Sequence, residues 1–356
     1  MTIDVGVYSA AAELPTAVQE LLRRAGRQDL FCSARWFDLL LRDAWDGGRP
    51  QIFAAGEPDR VDTACVLFTA ADDRNRHLRG LSNFYTMRYR PILEAEAAMP
   101  ALEAILDSIA GARPAWSGIE LRHLAADAPS TALLETGLQR RGWAARTYHQ
   151  FENWYEPTAG ISGADYFAAR PSQLRNTITR RWRRATREHR VKTVIYTRPE
   201  GLETGIAAYE RIYARSWKSA ERYPSFIGNL MRCCAGEGSL RLGVVTIDDV
   251  PAAAQIWLVS GGRATIYKLA YDERFAALSI GSALTKHMFD HVLDIDQVTE
   301  VDYGTGSEPY KRDWMSRKRD IVGLLAHNKS ALRGFVGASR DYLARSVKRL
   351  LARPAS

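Results

Sequence analysis

The sequence predicts a two-domain α/β (α+β) chain in which each half is a mixed, mostly antiparallel sheet flanked by helices. Three observations carry this. Between Arg263 and Trp314 the residues read as strand, loop, helix, strand and a polar turn that starts a short helix. Just before, 240–247, 252–260 and 263–270 alternate as an antiparallel meander, joined through Asp248-Asp249 and Gly261-Gly262. Finally, the coarse order helix, strands, helix, strand, helix, strand of the first part recurs in the second, and 356 residues suffice for two domains of about 150 each.

Taken in order, 13–25 and 33–44 are helical by periodicity, with Ser33 placed to cap the second. Strand-like 51–55 and 63–69 flank the turn Gly56-Glu57-Pro58-Asp59. The aromatic stretch 80–93 offers Asn83, Tyr85 and Arg88 for a substrate cleft; the competing reading packs Tyr85 in the core and leaves Arg88 solvated. Helices over 100–110 and 130–141 enclose a strand over 118–124, and 143–154 is extended. From Arg170 to Lys192 nine basic residues face one acidic one. Leu174, Ile178, Trp182 and Ala185 make that segment an amphipathic helix, with Arg180, Arg183, Arg184, Arg187 and Arg190 largely off its apolar stripe. Helical character continues over 199–220, where Trp217-Lys218 leads into the loop 222–225, and a short helix follows over 226–234.

Composition narrows the functional classes. With 46% hydrophobic and 25% charged residues the chain reads as soluble and globular, and no window approaches the roughly 20 apolar residues of a membrane span. The start lacks the basic region and apolar core of a secretory signal. Cys32, Cys65, Cys233 and Cys234 form no CxxC pair or disulfide framework, so a cytoplasmic setting is expected. The histidines show no metal-ligand spacing, and no metal is expected. The net charge is +8, but no recognition motif accompanies the arginines, so nucleic acid is not an expected partner. The tail over 329–353 is a basic amphipathic helix, suited to an anionic membrane surface or to docking on its own domain.

The chemistry-bearing stretch is 263–314. Ser279 is placed to cap a helix whose first turn holds Gly281, and free N–H groups at such a helix mouth suit phosphate. A second strand over 298–303 ends in Asp302 and Tyr303, Gly304, Gly306 and Pro309 mark the turn after it, and Tyr310, Lys311 and Trp314 follow.

The runs VPAAAQIWLVSGGRATIYKLAYDE, SIGSALTKHMFDH and VDYGTGSEPYKRDW resemble the C-terminal half of the CelD-like (BioF-like) acyltransferases, a branch of the GNAT superfamily neighbouring the FemABX peptidyltransferases. FCSARWF and RPSQLRNT extend the resemblance over most of the chain. It implies tandem GNAT-like domains over 1–155 and 156–328, followed by the helix 329–356. It also implies acyl-CoA as co-substrate. On the family's Arg/Gln-x-x-Gly-x-Gly/Ala loop, Gly281 and Ala283 match and Leu278 takes the first position. Ser279, Ile280, Gly281, Ser282 and Ala283 would then hold the donor's diphosphate, and the N–H groups of Leu269 and Ala270 its thioester carbonyl. Asp302 would act as base or orient the amine, Tyr310 or Tyr303 would protonate sulfur, and Lys311 would hold negative charge. The structural alternative has Asp302 capping the Gly304 turn and Lys311 pairing with Asp302 or Glu308. Asn83, Tyr85, Trp217, Gln255, Trp257 and Lys268 are the acceptor-side candidates.

The resemblance makes N-acylation the expected activity, with a long-chain amino lipid such as a sphingoid base, as for bacterial ceramide synthases, as the first acceptor. Aminoacyl transfer of the FemABX kind, acylation of an exopolysaccharide amino sugar, and a non-catalytic adaptor are the alternatives. The basic tail would hold such an enzyme peripherally on the inner membrane face.

Overall fold

The computed structural model describes residues 3–57, 59–94 and 96–351, with side chains described as far as 343. Pro58, and the tail side chains Arg345, Val347, Lys348, Arg349, Leu350 and Arg353, lie outside the described part. The chain forms two compact units, residues 1–151 with 320–356, and residues 152–319.

In the first unit, β1 (Val5–Tyr8), β2 (Arg49–Ala55), β3 (Cys65–Asp72), β4 (His77–Gly80), β5 (Gly118–Ala125) and the later part of β12 (Arg317–Asn328) lie in that order. All pairs are antiparallel except β4 with β5. Helices α1 (Thr16–Gln28) and α2 (Ala34–Asp43) bury Leu21, Leu22, Trp36, Phe37 and Leu40. The expected cap is present: Ser33 Oγ accepts the Trp36 N–H at 3.1 Å. Phe37 stacks on Phe68 of β3 with ring centroids 3.8 Å apart. Helices α3 (Met99–Gly111) and α4 (Pro129–Arg140) complete the flanks, and β6 (Trp143–Pro157) carries the chain out of the unit.

The second unit opens with α5 (Gly163–Ala168) and α6 (Ser172–Glu188). The segment 170–192 is thus shorter as a helix than its charge pattern suggests. After Ala185 the apolar stripe ends, and the β-branched run Val191–Tyr196 becomes strand β7. Then come α7 (Leu202–Tyr213), α8 (Pro224–Gly236), β8 (Leu240–Ile247), β9 (Val250–Ser260), β10 (Arg263–Tyr271), α9 (Ile280–Asp294) and β11 (Glu300–Asp302). Helix α7 stops well short of 220; a turn carries Trp217 and Lys218 beyond its end.

Strand order in this unit is β6, β11, β10, β9, β8, β7, antiparallel throughout except β10 with β11. The meander and the strand–helix–strand step therefore stand as the alternation predicts. The core under α9 is aromatic: Phe289 stacks on Trp314 at 5.5 Å and meets Trp257 edge-on at 5.1 Å.

Helix α10 (Leu332–Leu351) follows β12. Gly334 has a packing reason for interrupting its helical composition: a Cβ there would collide with the carbonyls of Asn328 and Ser117. An Arg146–Asp341 ion pair at 2.5 Å fastens the helix within the first unit. Among the described residues no helix is long and apolar enough to cross a membrane.

Candidate active site

The site grows out of the place where two parallel strands part. β10 and β11 pair only through Arg263–Glu300, Ala264–Val301 and Thr265–Asp302. β11 then ends, while β10 runs on to Tyr271 and shifts register against β9 between Ile266 and Lys268. One edge of 266–271, where Leu269 and Ala270 sit, is thereby left without a strand neighbour, so its backbone N–H groups can meet a ligand.

Next to this edge lies the mouth of α9. Ser279 adopts a left-handed conformation (φ 49°) and makes no side-chain cap, so the first-turn N–H groups of α9 are uncapped. Its hydroxyl instead accepts a hydrogen bond from Arg181 Nη1 of α6 at 2.5 Å. Ser279, Gly281 and Ser282 are half-buried, whereas Ile280 and Ala283 are buried. A Cβ at Gly281 would meet Tyr271 at 3.3 Å, so glycine lets the last residue of β10 lie against the helix mouth. Gln255 and Trp257 serve this arrangement from behind. Gln255 Nε2 donates to the Gly281 carbonyl at 3.0 Å and to Thr285 Oγ1 at 2.7 Å, while Trp257 Nε1 donates to Gln255 Oε1 at 2.9 Å. Both side chains lie in the core, which removes them from the surface an acceptor reaches.

Asp302 is also buried, and its carboxylate is fully engaged. It accepts from Gly304 N at 2.7 Å, Asn153 Nδ2 at 2.8 Å and Arg319 Nη2 at 2.9 Å. Arg319 further binds Asn153 Oδ1 at 2.7 Å and Glu300 at 2.7 Å, and Glu300 pairs with Arg263 at 2.6 Å. This network holds the turn that begins at Tyr303, and it gives Asp302 the turn-capping geometry rather than a carboxylate aimed at an acceptor.

The turn carries Tyr303, Tyr310 and Lys311. Tyr303 is buried, and burial pushes its phenol well above the usual tyrosine range. Tyr310, 46% exposed, meets it edge-on at 5.7 Å; its own phenol is pushed up to about 12, chiefly by burial and then by Glu308. Lys311 is buried and its ammonium is spoken for, by Glu308 at 2.7 Å and by the carbonyls of Thr305 and Gly306 at 2.5 and 3.0 Å. Burial lowers its pKa and the Glu308 pair opposes that.

On the opposite side, Lys268 of β10 pairs with Glu221 at 2.5 Å and lies 5.9 Å over the Tyr213 ring. Trp217, half-exposed, packs on Tyr271 at 4.7 Å. Trp217, Tyr271, Gly281 and the α9 mouth therefore form one continuous wall. Asn83 and Tyr85 belong to the first unit and are used there: Asn83 Nδ2 donates to the Ala44 carbonyl at 2.8 Å, its Oδ1 accepts the Tyr85 N–H at 2.9 Å, and Tyr85 is buried. Arg88, too, pairs locally, with Asp29 at 2.9 Å.

Sequence reasoning does not single out Arg181, Glu221, Asn153 or Arg319. Arg181 is hidden among neighbouring arginines, and the others come from elements far away in sequence.

The family model for the acetyltransferase (GNAT) domain matches residues 172–312. The matched segment is similar to GNAT acetyltransferase domains. It contains α6, the splayed strands, the α9 mouth and the Tyr310–Lys311 turn. Solved structures share the GNAT fold at low identity. FemX is 12% identical over 92% of this chain and 97% of its own, with a TM-score of 0.64. L-PGS from Bacillus licheniformis is 10% identical over 90% and 97%, with a TM-score of 0.51. A tandem GNAT protein from the clavulanic acid biosynthesis pathway is 11% identical over 91% and 98%, with a TM-score of 0.50. No curated protein matches the chain by sequence. The tandem GNAT-like fold class read from the sequence stands: FemX and the tandem GNAT protein share the fold, and the GNAT acetyltransferase model matches within the second unit.

Proposed function

We propose that this protein is an acyl-CoA-dependent N-acyltransferase whose acceptor is a primary amine on a long-chain lipid, a sphingoid base being the first choice. The observation that carries the reading is the convergence, in the unit holding the GNAT segment, of an uncapped helix mouth, a free strand edge and an exposed tyrosine.

The donor's diphosphate lies over residues 279–283 at the positive end of α9. Arg181 supplies there the cation that Leu278 cannot. The thioester carbonyl accepts from the free edge near Leu269 and Ala270, which stabilises the oxyanion. The neutral amine attacks the carbonyl carbon, the C–N bond forms, the C–S bond breaks, and the amine proton passes to solvent. Tyr310, protonated at neutral pH, gives its proton to the departing thiolate. Lys311 and Asp302 act as positioning residues that hold the Tyr310 turn, Lys311 through the Thr305 and Gly306 carbonyls and Asp302 through Gly304.

A lipid acceptor is supported by α10. Leu332, Phe335, Tyr342 and Leu343 are all more than half exposed there, beside exposed Lys329, Arg333 and Arg340. Such a surface suits an anionic bilayer, where each basic residue adds about 1 kcal/mol. The protein would then work at the cytoplasmic face. Aminoacyl transfer is the reading to beat, and a labelled-donor assay separates the two. With long-chain acyl-CoA and sphinganine, labelled amide is expected, insensitive to ribonuclease. Product only from charged tRNA, or none from any thioester, would overturn the proposal.

A further inference from the structure

The acceptor wall carries more positive charge than its own carboxylates neutralise. Lys218 feels the charges of two lysine–glutamate pairs there, Lys268 with Glu221 at 2.5 Å and Lys311 with Glu308 at 2.7 Å. That leaves Lys218. Its Nζ makes neither hydrogen bond nor ion pair among the described residues, and lies 5.7 Å from the Trp217 ring centroid. It is half-buried in the turn after α7, on the wall that runs through Trp217 and Tyr271 to the α9 mouth. A cation partly withdrawn from water beside two other cations, with both nearby carboxylates already committed, favours an anionic group brought by a ligand.

We infer that Lys218 binds an acidic group, a carboxylate or a phosphate, carried by the acceptor close to its reactive amine. The inference rests on the N-acyltransferase reading and refines its acceptor: a long-chain amine bearing an acid, such as a phosphorylated sphingoid base, is preferred over the bare base, which remains a slower substrate. Burial, then the charge of Lys268, lowers the Lys218 pKa, with Glu221 and Glu308 opposing and Lys311 adding to the strain; an incoming anion relieves it. Trp217 gives the same substrate an aromatic face. The donor's phosphates are served separately by Arg181 and the α9 mouth, so Lys218 is available to the acceptor.

The test compares three amines of similar chain length: sphinganine, sphinganine 1-phosphate and 2-aminohexadecanoic acid. Binding of each is measured by calorimetry without donor, and labelled transfer from acyl-CoA is measured in parallel. The wild-type protein should bind and acylate at least one acid-bearing amine about tenfold or more better than sphinganine. In Lys218→Gln that preference ratio should fall to about one through KM, and Lys218→Arg should restore it, with unchanged melting temperatures as the control for folding. Preference for the phosphate or for the carboxylate identifies the source of the anion. Equal binding of all three by the wild type, no binding of any, or a preference that survives Lys218→Gln would overturn the inference. A Lys218-dependent binding preference without transfer would instead uphold it while removing the N-acyltransferase reading.

Discussion

Both compact units contain a parallel β–α–β step, and they finish it in opposite ways. In the first, β4 and β5 pair in parallel through His77–Gly118 to Arg79–Glu120, with α3 between them. The connection between β4 and α3 turns several large side chains inward. Tyr85, Tyr89 and Ile92 are buried, Tyr89 donates its hydroxyl to the Phe68 carbonyl, and Ile92 bridges Val66. Pro100 stands in the first turn of α3, and β5 continues alongside β12. In the second unit a tight turn through Ser279 leaves the mouth of α9 uncapped, and β11 ends after three residues so that β10 keeps a free edge. One unit spends its aromatic residues sealing the step; the other leaves it open and rims it with Trp217, Tyr271 and Tyr310. Chemistry is expected only where the step is open.

That contrast can be broken in several places. The largest effect should come from Arg319→Met, which leaves Asp302 and Glu300 without their shared guanidinium; a loss of about 3 kcal/mol of stability is expected by urea unfolding. A loss under 1 kcal/mol would mean that the network is not what holds the open turn. The sealed unit has its own signature in His123, whose imidazole burial lowers from 6.5 to about 4. Because the folded pKa lies below the unfolded one, the stabilisation is complete above pH 6.5 and is lost as pH falls toward 4, about 3 kcal/mol in all. His123→Gln should flatten that acid limb of the stability profile. Tyr310→Phe should lower kcat about 100-fold with little change in KM, as removal of a general acid does. An unchanged kcat would take Tyr310 out of the chemistry. Arg181→Ala should raise the KM for acyl-CoA about tenfold and leave the acceptor KM alone.

Much of the open step is legible in the sequence because it is local. The alternation of 240–270, the spacing of Leu284, Met288 and Val292, and Gly281 all lie within one stretch, and the resemblance fell on the segment that the GNAT family model matches. What stayed hidden depends on pairing across long sequence separations. Nothing local marks 317–328 as the strand that follows the turn, or tells Arg319 and Asn153 to meet at Asp302. Gln255 and Trp257 look like polar and aromatic groups ready for a ligand; only the packing of β9 against α9 turns them inward. Arg181 is one arginine among nine basic residues until Ser279 is seen beside it.

Hydrogen exchange in the presence of coenzyme A tests the central claim most directly, because it reads both steps in one experiment. Saturating coenzyme A should slow exchange at the amides of residues 280–284 and leave 81–99 unchanged. No protection at the α9 mouth, or protection confined to the first unit, would contradict the assignment of the donor site to the open step.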